Sequence, residues 1–123
     1  MSKYGNRKVK VNGMVFDSVH EYRRYTELKL LEAAGAISDL RCQVRFELIP
    51  AQYVTERRYS KTGKRLQDKQ KCVERAVEYV ADFVYTDTDG SEVVEDAKGK
   101  CTKDYIIKRK LMRYLHNITI QEV

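Results

Sequence analysis

Cysteine is scarce and poorly placed for cross-linking. Cys42, Cys72 and Cys101 are odd in number and far apart, and no two form a CxxC pair. That excludes a disulfide framework and a cysteine-rich zinc site as expectations and leaves reduced, partly buried thiols. Histidine is scarcer still. His20 and His116 have no second His or Cys at ligand spacing, so both read as structural or surface residues. Long hydrophobic runs are missing, and with them any candidate membrane span. The opening residues, Met1 to Lys10, are polar and basic and lack the apolar stretch of a secretory signal, so a cytoplasmic protein is expected. No internal repeat, low-complexity tract or linker rich in Pro, Gly or Ser divides the chain. One domain over residues 1–123 is the simplest organisation.

What is present is a soluble globular composition. The 123 residues are 42% hydrophobic and 34% charged, enough for one hydrophobic core. The net charge is +6, and its placement matters more than its size. Between Thr55 and Lys71 stand Arg57, Arg58, Lys61, Lys64, Arg65, Lys69 and Lys71 against only Glu56 and Asp68. The first ten residues add Lys3, Arg7, Lys8 and Lys10 with no acid, and the remainder is mildly acidic. A polyanion would be drawn to these two segments, because phosphate contact releases condensed counterions. A solvated basic loop and a basic tail over residues 1–8 would give the same charge pattern.

Periodicity and turn chemistry suggest an order of elements. After a short extended segment, Lys8 to Val15, with a turn at Asn12-Gly13, a helix is expected from about Ser18 to Ala34. Ser18 and Glu21 have capping-box spacing and Gly35 is a natural stop. A strand follows from Cys42 to Ile49, where Val44, Phe46 and Leu48 alternate with Arg45 and Glu47, and Pro50 ends it. Residues 51–71 form the basic segment, with Lys61-Thr62-Gly63-Lys64 as a turn between two arms of a flap. Strands are expected over about Val73–Thr86 and Ser91–Lys98. A helix follows over about Thr102–His116, burying Ile107, Leu111, Tyr114 and Leu115, and then a last strand, Ile118–Val123. The order helix, strand, strand, strand, helix, strand is an α/β arrangement of mixed sheet and flanking helices.

The chemically informative stretch is Tyr79-Val80-Ala81-Asp82-Phe83 with Val93-Val94-Glu95-Asp96-Ala97-Lys98-Gly99. A three-residue loop, Thr88-Asp89-Gly90, places glycine in the left-handed region and pairs Asp87 with Ser91. Counting back, Asp82 lies opposite Asp96, with Lys98 on the same side. A two-residue loop would instead pair Asp82 with Glu95 and turn Asp96 and Lys98 away. In the first register one hairpin presents two carboxylates and an ammonium together. Mg²⁺ is a hard cation that prefers such oxygen ligands, and it lowers the pKa of bound water. A neighbouring lysine can orient that water or stabilise developing phosphate charge. An ordinary solvated strand end, with an Asp96–Lys98 surface ion pair, is the competing account. Glu95 is expected to face away, solvated.

With Asp82 and Asp96-Ala97-Lys98-Gly99, the chain resembles the PD-(D/E)xK nuclease superfamily. The element order resembles its restriction-endonuclease-like core. The chain is also similar to a family of small phage-encoded proteins assigned to that superfamily. The similar segments are Phe16-Asp17-Ser18 with Glu21, Gln43 with Phe46 to Pro50, Tyr79 to Phe83, and Val94 to Gly99. The proline of the signature is absent, since Ala81 precedes Asp82, and Ala97 is smaller than the residue usual at that place.

The resemblance implies a Mg²⁺- or Mn²⁺-dependent endonuclease acting on DNA phosphodiesters, branched or Holliday-junction DNA included, in phage DNA metabolism and in the host cytoplasm. It implies Asp82, Asp96 and the Ala97 carbonyl as metal ligands, Lys98 at the attacking water, and Glu21 at the metal or its water. Gln43 would position that water. Glu21 also fits the acidic position of a capping box, so both roles stay open. Lys100, Lys103, Tyr105 and Lys108 are candidate phosphate contacts, and Arg57, Arg58, Lys61, Lys64 and Arg65 would line a flap over duplex or branched DNA. A domain this small is expected to cut two strands as a homodimer. A non-catalytic nucleic-acid-binding protein with a nuclease-like fold is the alternative, and a protein partner docked on the basic flap is a third.

Overall fold

The protein is described by a computed structural model that covers residues 7–97 and 101–123. The chain enters through a small hairpin, β1 (Val9–Val11) and β2 (Met14–Phe16), closed at Asn12 and Gly13. Both turn residues have positive φ, 50° and 80°, as a tight two-residue hairpin turn of matching twist requires. Helix α1 (Val19–Ala33) follows. Ser18 caps it by accepting the Glu21 N–H at 3.1 Å. Its end is a Schellman motif: Ala36 N–H reaches the Leu31 carbonyl, Gly35 N–H reaches that of Glu32, and Gly35 sits at φ 78°.

Strand β3 (Ile37–Ile49) begins five residues before the expected Cys42. The added length is held by Ile37 and Leu40, which pack with Leu28 of α1. Next come β4 (Gln52–Tyr59) and β5 (Arg65–Glu74), a separate two-stranded antiparallel sheet. The expected strand from Val73 is thus divided: residues 73 and 74 end β5, and β6 runs Val77–Asp87. After β7 (Glu92–Asp96), helix α2 (Lys103–His116) is capped by Thr102, whose hydroxyl accepts the Tyr105 N–H at 3.2 Å. The last strand is only β8 (Gln121–Glu122).

The main sheet has the order β3-β6-β7-β8, antiparallel except for the parallel β7–β8 pair. The protein is therefore mixed α/β, with a mixed sheet and two helices. Two apolar clusters sit on it. One joins Leu48, Tyr79, Ala81, Val84 and Val94 to Tyr105 and Met112 of α2. The other joins Ile37, Phe83 and Tyr85 to Leu28 of α1.

Strict alternation would keep Ala81 and Phe83 on one face. They instead belong to different clusters, as do Val44 and Cys42 on the partner strand. The exchange occurs at Asp82 and Gln43, and Gln43 has φ 54°, a left-handed conformation rare for a non-glycine residue. The two strands thus hand their apolar side chains from one helix to the other at the level of the proposed site.

The buried stripe of α2 differs from the expected one. Tyr105 and Met112 are buried and Leu111 packs beside them, whereas Ile107, Tyr114 and Leu115 are exposed. A face centred one position away wins because the Tyr105 ring meets that of Tyr79 and Met112 fills the space against the sheet. Among the described residues no helix is long and apolar enough to cross a membrane.

Candidate functional site

The β6–β7 hairpin has the three-residue register. Phe83 pairs with Glu95, Val84 with Val94, Tyr85 with Val93 and Thr86 with Glu92. Asp87 N–H bonds the Ser91 carbonyl at 2.8 Å, and Gly90 has φ 85°. Extending that register by one residue sets Asp82 opposite Asp96, and the alternative pairing of Asp82 with Glu95 does not occur. Asp82 Oδ2 accepts the Ala97 N–H at 2.8 Å, which ties its carboxylate to the backbone just past β7. Asp96 is only 1% exposed, and Tyr79 OH donates to its Oδ2 at 2.5 Å. Asp96 is therefore not a solvated strand-end carboxylate, and its expected pairing with Lys98 falls outside the described residues.

Glu21 closes the cluster from α1. It is buried, its Oε2 accepts the Asp17 N–H at 3.1 Å, and its Oε1 accepts from Gln43 Nε2, also at 3.1 Å. The same Gln43 amide reaches Asp82 Oδ1 at 3.4 Å. Of the two roles open for Glu21, the structure bears on the cap. Glu21 secures the helix entrance, through Asp17 and not through Ser18, while its other oxygen points at the sheet. Burial first, then the negative charges of Asp82, Asp17 and Asp96, raise its pKa to about 7. Burial, then the hydrogen bond to Asp96, also pushes the Tyr79 hydroxyl far above its usual value, so it stays a donor.

Carboxylates brought near one another are costly without a counterion, and of these Glu21 and Asp96 are buried and Asp82 half-buried. In kind, the donor set fits a hard divalent ion. Among the described residues, however, no three His, Cys, Asp or Glu side chains are grouped closely enough to hold one as they stand. The residues that would complete the set are Asp82, Asp96 and the Ala97 carbonyl, with Glu21 a step further out. Lys98 and Lys100 lie outside the described residues.

Two expectations are corrected. Glu95 is fully buried, not solvated. It faces α1, where Arg24 Nε and Nη2 grip it at 2.8 and 2.6 Å and Tyr85 OH also donates to it. Tyr105 is 4% exposed and packs against Tyr79, so its ring is part of the core and not a phosphate contact. Its backbone opens α2 beside a shallow cavity of about 230 Å³ lined by Tyr79, Val80, Thr102, Asp104, Tyr105 and Lys108. Lys103 is exposed at the first turn of the same helix.

The remaining basic candidates are far from core packing. Arg57 and Arg58 project from β4, Lys61 and Lys64 from the turn, and Arg65 from β5, all exposed. Sequence reasoning passed over Tyr79 as a partner of Asp96, and Arg24 and Tyr85 as partners of Glu95. No local signal marks them, because each pairing is made across strands or between helix and sheet.

Fold and site together define a mixed α/β domain whose sheet sets Asp82 opposite Asp96 and links Asp82 to Glu21 of the first helix through Gln43. The chain belongs to the family described as "Protein of unknown function (DUF1064)", whose model matches residues 1–121. No curated protein and no solved structure matches the chain.

Proposed function

We propose that this protein is a metal-dependent nuclease of the PD-(D/E)xK type that hydrolyses DNA phosphodiester bonds, and that its sheet is a restriction-endonuclease-like core. The observation that carries the reading is the β6–β7 register, which continued by one residue sets Asp82 opposite Asp96, with Glu21 tied to Asp82 through Gln43. Asp82, Asp96 and the Ala97 carbonyl would hold Mg²⁺ or Mn²⁺. The ion supplies Lewis-acid polarisation of the phosphate and a lowered pKa for water.

The chain's own groups do the rest. Tyr79 and the Ala97 N–H fix the two carboxylates in place before any ion arrives, which limits reorganisation. Glu21, with a pKa near neutrality, accepts or holds a proton at its Oε1 edge, where Gln43 aligns it. Lys98 would stabilise charge developing on the phosphate. The basic hairpin, with Lys103 and Lys108, would carry the DNA backbone, and a homodimer would address both strands of a branched substrate.

The test incubates the protein with supercoiled, linear, single-stranded and four-way-junction DNA in Mg²⁺, Mn²⁺ or EDTA, beside Asp82→Asn and Lys98→Ala. Metal-dependent cutting that falls by about a hundredfold or more in both variants is expected. Salt-sensitive DNA binding with no cutting of any substrate would instead make the protein a binding module on a nuclease-like fold.

A further inference from the structure

The β4–β5 hairpin is built unlike the rest of the molecule. It pairs with no strand of the main sheet. Every residue of β5 is exposed, and in β4 all but Glu56 are. A lone two-stranded ribbon is marginal in water, and this one leaves Tyr53, Tyr59, Val54 and Leu66 facing solvent. Over residues 52–74 it carries seven basic and three acidic side chains. Glu56 and Asp68 are already occupied by Lys71 and Arg65.

The two faces of the ribbon differ. Alternation along β4 puts Tyr53, Thr55, Arg57 and Tyr59 on one face. Gln70 stands opposite Thr55 and bonds its hydroxyl at 2.8 Å, and Arg65 stands opposite Tyr59. This face holds arginine, glutamine and threonine, the side chains suited to base edges, flanked by tyrosines. On the reverse face Lys71 opposes Val54, Lys69 opposes Glu56 and Arg58 opposes Leu66. That face carries Lys69 and Lys71, compact cations suited to phosphates, with Arg58 beside them. A register shift between Glu56 and Arg58 strengthens the local twist, which helps a ribbon follow a helical groove. A two-stranded ribbon fits the major groove of B-form DNA, about 12 Å wide, without the deformation that entry into the minor groove, about 6 Å wide, would require.

We propose that the β4–β5 hairpin is a groove-docking ribbon for duplex DNA, with the face of Arg57, Arg65 and Gln70 turned to the base edges of the major groove and Arg58, Lys69 and Lys71 serving phosphates. The inference deepens the nuclease reading, on which it rests for the fate of the bound DNA, by assigning the duplex to a ribbon that is separate from the sheet carrying the carboxylates.

The full chain is titrated onto short duplex DNA in EDTA, by fluorescence anisotropy over a salt series, with dimethyl-sulfate protection of guanine N7 read at saturation. The wild type is expected to protect N7 positions in the major groove. Arg57→Ala/Arg65→Ala should bind about tenfold or more weakly and lose that protection. Lys69→Ala/Lys71→Ala should keep the protection at saturation while its log–log salt slope drops by about two. Thermal melting matching the wild type would show that the main fold is intact, since the hairpin adds no side chain to either core cluster. Wild-type affinity in the arginine pair, absence of N7 protection at saturation, or no duplex binding at all would overturn the proposal. The nuclease reading fails separately, if protected duplex is never cut in Mg²⁺ or Mn²⁺.

Discussion

Two carboxylates are buried under α1, and the molecule treats them in opposite ways. Glu95 is gripped by two nitrogens of the Arg24 guanidinium and by the Tyr85 hydroxyl, so its charge is fully answered. Glu21 is answered, among the described residues, by neutral donors alone, the Asp17 N–H and the Gln43 amide, while Asp82 and Asp96 press further negative charge upon it. A paired buried charge holds a fold in place. A buried charge without its counterion raises its pKa instead and is a candidate for chemistry. The contrast teaches that burial alone does not mark a functional acid, because the identity of its partners decides.

The largest effect should come from breaking the answered pair. Arg24→Ala would leave Glu95 buried with a hydroxyl as its remaining partner, at a cost of about 2–4 kcal/mol, tempered because the Arg24 side chain is 24% exposed. Urea unfolding should show a lower midpoint with an unchanged slope. Replacing both partners, Arg24→Met with Glu95→Leu, should recover most of the loss. A wild-type midpoint for Arg24→Ala alone would erase the distinction between the two carboxylates.

Next in size is a pH effect that belongs to Glu21 alone. Its folded pKa, about 7, lies above the ordinary 4.5, so between these values the folded state holds more protons than the unfolded. Stability of the metal-free protein should thus fall as pH rises from about 4.5 to about 7, by up to about 3 kcal/mol, and change little from this group outside that window. Glu21→Gln keeps an oxygen acceptor for the Asp17 N–H and removes the charge. In EDTA it should equal the wild type near pH 4 and exceed it near pH 8, as read from denaturant midpoints. Equal pH slopes in the two proteins would place Glu21 with Glu95, as a satisfied structural acid.

How much of this was legible in the chain follows from the range of each interaction. The hairpin register was, because Gly90 needs a positive φ and that alone fixes the loop, which puts Asp82 opposite Asp96. The caps at Ser18 and Gly35 were, for the same local reasons. Arg24 and Glu95 are 71 positions apart, and nothing in the residues near either one announces the other. The alternation rule itself misled at Asp82 and Gln43, where both strands exchange one helix for the other. On α2, several apolar residues on adjacent faces left the buried stripe ambiguous until Tyr79 selected Tyr105.

The smallest expected effect decides where Asp96 belongs in the contrast. It is as buried as Glu95, and one of its partners is the Tyr79 hydroxyl. Tyr79→Phe removes that donor and little volume. In EDTA the variant should lose about 1–2 kcal/mol, the cost of a buried acceptor deprived of a charge-assisted bond. If Asp96 is a ligand, saturating Mg²⁺ should raise the melting temperature of Tyr79→Phe more than that of the wild type and so shrink the deficit, because an ion bound only to the folded state stabilises it by mass action and takes the place of the lost donor. If Asp96 is a structural acid like Glu95, Mg²⁺ should leave the deficit of the variant untouched, and the carboxylate cluster would reduce to Asp82 and Glu21.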